Sequence, residues 1–455
     1  MNAALRRVFG EPWFFWLMVV HMLGQGGTYL IRPMVSYRAL DLGIDAAGLG
    51  FLSAAFSLAP LAAALWMGKM VDRHGEMLFV FAGNGLMMAS GLALAFVGGV
   101  VPLFLFYAGL GLGHLGAVVA AQGMVARGSG EASYDRRFSA FSFAGSIGQF
   151  LGPAIAGAVA GQGTPDEVTR AILVGGIVLV ATLPVAALIR PPAADGPARR
   201  RHGEAAPGTS IRGILRTPGV LRAILVSTTV LSAIDIVIVY LPAPGEERLW
   251  SASLVGLLLA VRAAASMGMR LVLGSAAARF GRGRLLIVSM AISAVALMAL
   301  PIDAPLPVIV ILMLMSGAGL GIGQPLTMSW VASLSSPGAR ATALSIRLMG
   351  NRVGQVALPV IVGSIAAVAG AGGVLGVTGV VVAVSLAGAY RGLDRRTPAG
   401  RRAADAAEAA RAATEAAEVA SARSTSSETA AVAAVSPSAA PAVASSSSSV
   451  PEGLD

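Results

Sequence analysis

The sequence predicts an all-α membrane protein of twelve transmembrane helices arranged as two pseudo-symmetric six-helix halves. Three observations carry this expectation. The 455-residue chain is 56% hydrophobic and only 12% charged, with a mean hydropathy of +0.76, where a soluble domain carries roughly 25% charged residues. Its apolar residues fall into long runs separated by short charged loops. Several residue patterns then recur about two hundred positions further along.

A bilayer core of ~30 Å is crossed by about 20 helical residues rising ~1.5 Å each. Twelve segments meet this length, approximately 13–36, 46–68, 77–98, 101–125, 138–160, 169–190, 218–243, 252–274, 284–301, 306–331, 342–369 and 372–390. The first follows Arg6 and Arg7 as a signal peptide would. It runs on to about Ser36 with no small-residue cleavage site, so it reads as a retained span. The ninth is short, and the glycines of "GAGG" separate the last two.

The loops set the orientation. Alternate loops carry Arg6 and Arg7; Lys69 and Arg73; Arg127, Arg136 and Arg137; Arg199 to Arg201, Arg212 and Arg216; Arg279, Arg282 and Arg284; and Arg340. The opposite loops hold only Arg38, Arg170 and Arg248 as bases, beside Asp41, Asp45, Asp166, Glu167, Glu246, Glu247 and Asp303. The positive-inside rule then places both termini in the cytoplasm of a multi-pass plasma (inner) membrane protein, which an even number of spans permits. The net charge of +10 is read as these loop arginines and not as a nucleic-acid surface. Residues 191–216, rich in Pro, Gly, Ala and Arg, read as a cytoplasmic linker between an N-terminal bundle (1–190) and a C-terminal bundle (217–392). Residues 397–455 are low-complexity Ala, Ser and Pro, and 393–455 read as a disordered cytoplasmic tail.

Several function classes drop out. There is no cysteine, and His21, His74, His114 and His202 show no metal-ligand spacing. Gly109, Gly111 and Gly113 sit inside an apolar span with no preceding strand, so they pack helices and cradle no nucleotide. No cofactor, metal or catalytic cluster is expected, and the chain is not read as an enzyme.

The repeat is specific. Gly68, Arg73 and Gly75 match Gly274, Arg279 and Gly281 at an offset of 206, with Asp72 falling on Ala278. Gly148, Gln149, Pro153 and Gly157 match Gly354, Gln355, Pro359 and Gly363 at the same offset. Gly109, Gly111 and Gly113 align with Gly317, Gly319 and Gly321 at 208. Each set falls at the same topological place in its half, so the halves are parallel copies about an axis along the membrane normal.

"GKMVDRHGE", Gly68 to Glu76, resembles the loop motif between helices 2 and 3 of the major facilitator superfamily. "GQFLGPAIAG", Gly148 to Gly157, with Gly152 and Pro153 at its centre, resembles the helix-5 motif of that superfamily's antiporters. The resemblance covers residues 10–392. Glu76 stands where a basic residue is usual, and the family's helix-4 arginine, expected near Leu105 or Phe106, is absent. The resemblance implies a monomeric secondary transporter that moves a small organic solute by alternating access, with proton-coupled efflux the usual mode of the drug and metabolite antiporters. Uptake or facilitated passage of an organic acid is the alternative, and a non-transporting sensor the alternative of another class. It also implies that Asp72, with Arg73, latches the halves on the cytoplasmic side by meeting the start of helix 11, near Ala341 to Ile346. The residues themselves agree: Gly68 would admit a close neighbour, Gly75 a tight turn, and an acid there complements a helix N-terminus.

Charge inside the spans marks the expected site, because each such group should face a cavity or a partner. Asp235 is the one acid deep in a span and reads as a protonatable switch, as a cation ligand, or as the permanent ion-pair partner of Arg262 on the next helix. Arg262 and Arg352 read as cations for an anionic group; Arg270 and Arg347, nearer the interface, read as structural; Arg32, near the outer end of the first helix, reads as a cavity-mouth residue. His21 and Gln25, four apart, share one face of the first helix and read as cavity lining.

Overall fold

The computed structural model describes residues 11–127, 131–190, 211–335 and 340–394. Arg6 and Arg7, most of the expected linker, the expected tail beyond Asp394, and the side chains of Lys69 and Asp72 lie outside the described residues. Those described through Leu393 belong to one compact unit.

Twelve long helices build it: α1 (Pro12–Asp41), α2 (Ala46–His74), α3 (Glu76–Ala95), α4 (Val100–Arg127), α5 (Glu131–Ala160), α6 (Pro165–Ala186), α7 (Val220–Tyr240), α8 (Ala252–Phe280), α9 (Arg282–Ala299), α10 (Leu306–Leu334), α11 (Arg340–Ser364) and α12 (Ala366–Asp394). Two six-residue helices, Ile211–Arg216 and Pro242–Glu247, flank α7. No strand occurs among the described residues. Eleven of the long helices are apolar enough to cross a membrane by length and composition, and α11 is the exception. It carries Arg347, Asn351, Arg352 and Gln355, and it packs between α2 and α7, where Arg347, Asn351 and Gln355 are buried. Its polarity is turned into the protein, so it needs no apolar face there.

The helix ends repeat the sequence symmetry. Asp45 caps α2 by accepting from the Gly48 amide at 2.8 Å, and Ser251, also 206 further on, caps α8 by accepting from Leu254 at 3.2 Å. Gly75 (φ 91) ends α2 and Gly281 (φ 80) ends α8, both in the left-handed region that favours glycine. The boundary expected at "GAGG" falls at Gly370, where φ 68 and ψ 175 break the last helix after one turn.

Within the N-terminal half α1 packs on α5 and α6, and α3 on α4; within the C-terminal half α10 packs on α8 and α9, and α7 on α11. Across the halves α2 meets α11 and α5 meets α8. These two crossings are one contact made twice. A Cβ at Gly50 would sit 2.5 Å from the Pro359 carbonyl oxygen, and one at Gly256 would sit 2.7 Å from that of Pro153. All of these positions are 206 apart between halves.

The contacts correct one register. A Cβ at Gly111 would collide with the backbone of Phe56, and one at Gly317 with that of Arg262. Gly113 lies against Gly83 and Met87, and Gly319 against Ser289 and Ser293. Every one of these pairs is 206 apart, so the offset of 208 is wrong for these glycines. A run that alternates glycine every second residue overlaps itself when shifted by two, and only the neighbours reveal the true register.

The two ends of the bundle differ. Towards the end carrying Asp45 and Ser251, both halves contribute to one apolar core, with Ile31, Met34, Leu49 and Ala156 beside Val237, Tyr240, Val255 and Val362. Towards the end carrying Gly75 and Gly281, each half keeps its own: Trp13, Val71, Met124 and Phe141 in one, Ile214, Val220, Val331 and Ala343 in the other. The halves are thus welded at one end and separately packed at the other.

Candidate functional site

Between these ends, polar side chains join the halves. Arg32 on α1 donates Nη1 to Asp235 Oδ1 on α7 at 2.7 Å, with the two side chains only 3% and 5% exposed. Asp235 Oδ2 accepts from Gln355 Nε2 at 2.5 Å, and Gln355 Oε1 accepts from Arg352 Nη1 at 3.1 Å, both on α11. Arg32 Nε donates to the Tyr107 hydroxyl at 3.4 Å on α4. The Arg32 guanidinium lies 4.5 Å from the ring centre of Phe56 and 5.6 Å from that of Tyr29. A buried ion pair survives desolvation only when further hydrogen bonds occupy its remaining donors and acceptors, and Tyr107 and Gln355 do this here.

Asp235 is therefore placed in the core as expected, but its partner is Arg32 and not Arg262. The expected pairing assumes that consecutive antiparallel helices are neighbours. In the fold, α7 packs on α11 and α10, while α8 packs on α5 and α10. Arg32 sits at the centre of this network and not at a cavity mouth, and Tyr107 and Gln355 join it with no role expected of them. The available signals are slight. Arg32 directly precedes a helix-interior proline, and Gln355 belongs to the repeated Gly-Gln pair. Tyr107 stands one residue from the place where the family's helix-4 arginine is absent.

Five arginines lie within the helices around this one carboxylate. Arg270 donates Nε to the Gly321 carbonyl at 3.0 Å and Nη1 to Ser146 Oγ at 2.7 Å, so it ties α8 to α5 across the halves. Arg347 donates Nη1 to Ser227 Oγ at 2.5 Å and to Gln324 Oε1 at 3.0 Å. Arg262 is 4% exposed, its Nε has no hydrogen-bond partner, and among the described residues no carboxylate stands within 4.0 Å of it. On insertion scales an arginine at the centre of a spanning helix costs ~2.5–3.5 kcal/mol, so a buried one without a partner calls for an explanation.

His21 and Gln25 do line a cavity, but one inside the N-terminal half. It measures about 20 Å³ and is bordered by His21, Gln25, Asn84 and His114 from α1, α3 and α4. That volume suits a water molecule and no organic solute. His21 stacks on Phe141 at 3.8 Å, and neither His114 nitrogen has a partner.

The motif glycines divide into two groups. A Cβ at Gly148 or Gly152 would meet the backbone of α1, and Gly157 faces Ser253 and Gly256 of α8, so the Gly148–Gly157 stretch with Pro153 seats α5 between the two. Ser253 Oγ donates to the Gly157 carbonyl at 2.7 Å. Gly68 and Gly274, by contrast, have no atom within 4 Å of an added Cβ, and neither mediates the close approach expected of Gly68. Arg73 and Arg279 are exposed, the latter with its guanidinium 5.4 Å from the Phe280 ring centre.

Comparison with known proteins agrees with this architecture. No protein of curated function matches the sequence. Among solved structures, a bacterial homologue of the human lysosomal transporter Spinster, inward-facing and unoccupied, superimposes with a TM-score of 0.69 at 15% identity, covering 88% of this chain and 100% of its own. A point mutant of the nucleoside transporter NupG gives 0.69 at 12% identity over 83% of this chain and 99% of its own. A D-xylose–proton symporter gives 0.66 at 16% identity over 82% and 96%. The sequence model of the Major Facilitator Superfamily matches twice, over residues 17–249 and 225–436, and the chain, a multi-pass membrane protein, belongs to that superfamily.

Proposed function

We propose that this protein is a secondary transporter, and no enzyme, that carries a small organic solute across the plasma membrane by alternating access, with proton-coupled efflux as its mode. The observation that carries the reading is the Arg32–Asp235 bond. It joins the halves inside the spanning helices, and Asp235 is the one carboxylate in the interior of a described span. Protonation would neutralise Asp235, release Arg32 and remove an attraction between the halves, which links proton binding to their rocking. The welded Asp45–Ser251 end and the separately packed Gly75–Gly281 end support a state open on one side. In the opposite state Gly68 and Gly274 would become contact surfaces, and Asp72, Arg73 and Arg279 would form the latch beside Gly75 and Gly281. By loop charge that end faces the cytoplasm. The α5 motif, packed on α1 and α8, supports efflux by its resemblance to antiporters.

The test is reconstitution into vesicles with an imposed pH gradient and a panel of metabolites. Solute release should be driven by inward proton flow, and Asp235→Asn should abolish the dependence on the gradient while facilitated exchange continues. Gradient-driven flux that is unaltered in Asp235→Asn would remove the coupling role, and solute moving with the protons would make the protein an importer.

A further inference from the structure

The site around Asp235 is symmetric in backbone and asymmetric in charge. Arg262 stands 206 residues from Phe56, and both present their backbone to the equivalent glycine of α10 or α4, Gly317 or Gly111. At Phe56 the fold is satisfied by an apolar ring packed on Tyr107 and the Arg32 guanidinium. The scaffold therefore does not require an arginine at this position. Arg262 is nevertheless buried, its Nε has no hydrogen-bond partner, and no carboxylate stands within 4.0 Å of it among the described residues. Asp235, which would have served, has both oxygens engaged by Arg32 and Gln355.

We propose that Arg262 is the docking cation for an anionic cargo, a small solute bearing a carboxylate or phosphate group, bound between Arg262 of the C-terminal half and Tyr29 of the N-terminal half. Tyr29 occupies the position equivalent to Asp235, and its ring centre lies 5.6 Å from the Arg32 guanidinium that bonds Asp235 across the halves. Its phenol supplies a donor where the other half holds an acid, so an oxyanion there finds a cation from one half and a donor from the other. The bound oxyanion supplies the countercharge that Arg262 lacks and bridges the halves, which makes its binding sensitive to their separation. This deepens the transporter reading and rests on it.

The test uses purified full-length protein and thermal unfolding at matched ionic strength. Without added anion, Arg262→Met should raise the midpoint by about 2–4 °C, because it removes an uncompensated buried charge. Succinate or inorganic phosphate should raise the wild-type midpoint, with choline and glucose as inert controls. The rise should vanish in Arg262→Met, persist in part in Arg262→Lys, and fall in Tyr29→Phe. A lowered midpoint in Arg262→Met, no anion response in the wild type, or an equal response in both would overturn the proposal. So would a response produced by phosphatidylglycerol vesicles and by neither soluble anion. Gradient-driven flux of a neutral or cationic solute, unchanged in Arg262→Met, would remove the anion and leave the transporter. Anion binding that needs Arg262, with no flux of any solute, would do the reverse.

Discussion

The two halves use the same backbone contacts and different side chains. At the crossings, Gly50 on Pro359 repeats Gly256 on Pro153; within the halves, Gly111 on Phe56 repeats Gly317 on Arg262. Around the centre, equivalent positions hold Tyr29 and Asp235, Phe56 and Arg262, Ser146 and Arg352, Arg32 and Ile238. Close helix approach is set where the backbone is bare, because no neighbouring helix can enter where a side chain stands. Duplication therefore preserves geometry through the glycines. The chemistry is placed by charged residues that appear in one half only, and most of that charge sits in the C-terminal half.

The largest effect should follow from breaking the bond between these unlike halves. Arg32→Met leaves Asp235 buried beside Gln355 without its cation and should cost ~3–5 kcal/mol, read as a drop in thermal midpoint of the purified protein. The double variant Arg32→Met/Asp235→Leu removes both charges and should recover most of that loss while remaining without proton-coupled flux. Failure of the second change to restore stability would show that the network holds the fold by packing and not by charge.

This division also explains what is legible in the sequence. Hydropathy and turn chemistry reveal the spans and the glycine turn at Gly75, since each depends on nearby residues. The frame shared by Gly148–Gly157 and Gly354–Gly363 reveals the duplication. The pairing of Asp235 is not legible, because it depends on which faces meet across the halves, and α7 and α8 are consecutive without being packed together. Arg32 reads as peripheral because depth counted along α1 says nothing about the face it occupies. His21 and Gln25 do share a polar face, as their spacing requires, but that face borders a space inside one half.

An intermediate effect should come from filling the repeated crossings. Gly50→Val and Gly256→Val each drive side-chain atoms into a proline carbonyl 2.5 or 2.7 Å from the new Cβ. Each should lower stability by ~1–3 kcal/mol, measured by thermal unfolding, and the two losses should be similar if the crossings are equivalent. A marked difference would show that one crossing is the hinge and the other merely touches.

The smallest effect lies where the crossings themselves differ. At the α5–α8 crossing Ser253 Oγ donates to the Gly157 carbonyl at 2.7 Å, and the Ser253 amide donates to Gly161 at 2.9 Å. The equivalent position at the α2–α11 crossing is Ala47, which has no hydroxyl, and there the Tyr240 hydroxyl lies beside Gly363 and Gly50 without a hydrogen-bond partner. Ser253→Ala makes the first crossing resemble the second while keeping the backbone bond. It should cost about 0.5–1.5 kcal/mol, with transport slowed little, since a single neutral hydrogen bond at the welded end is a small part of what separation there must break. A larger slowing or acceleration of flux than of unfolding would place Ser253 on the path by which that end opens, and would make the α5–α8 crossing, the hydrogen-bonded one of the pair, the one that yields first.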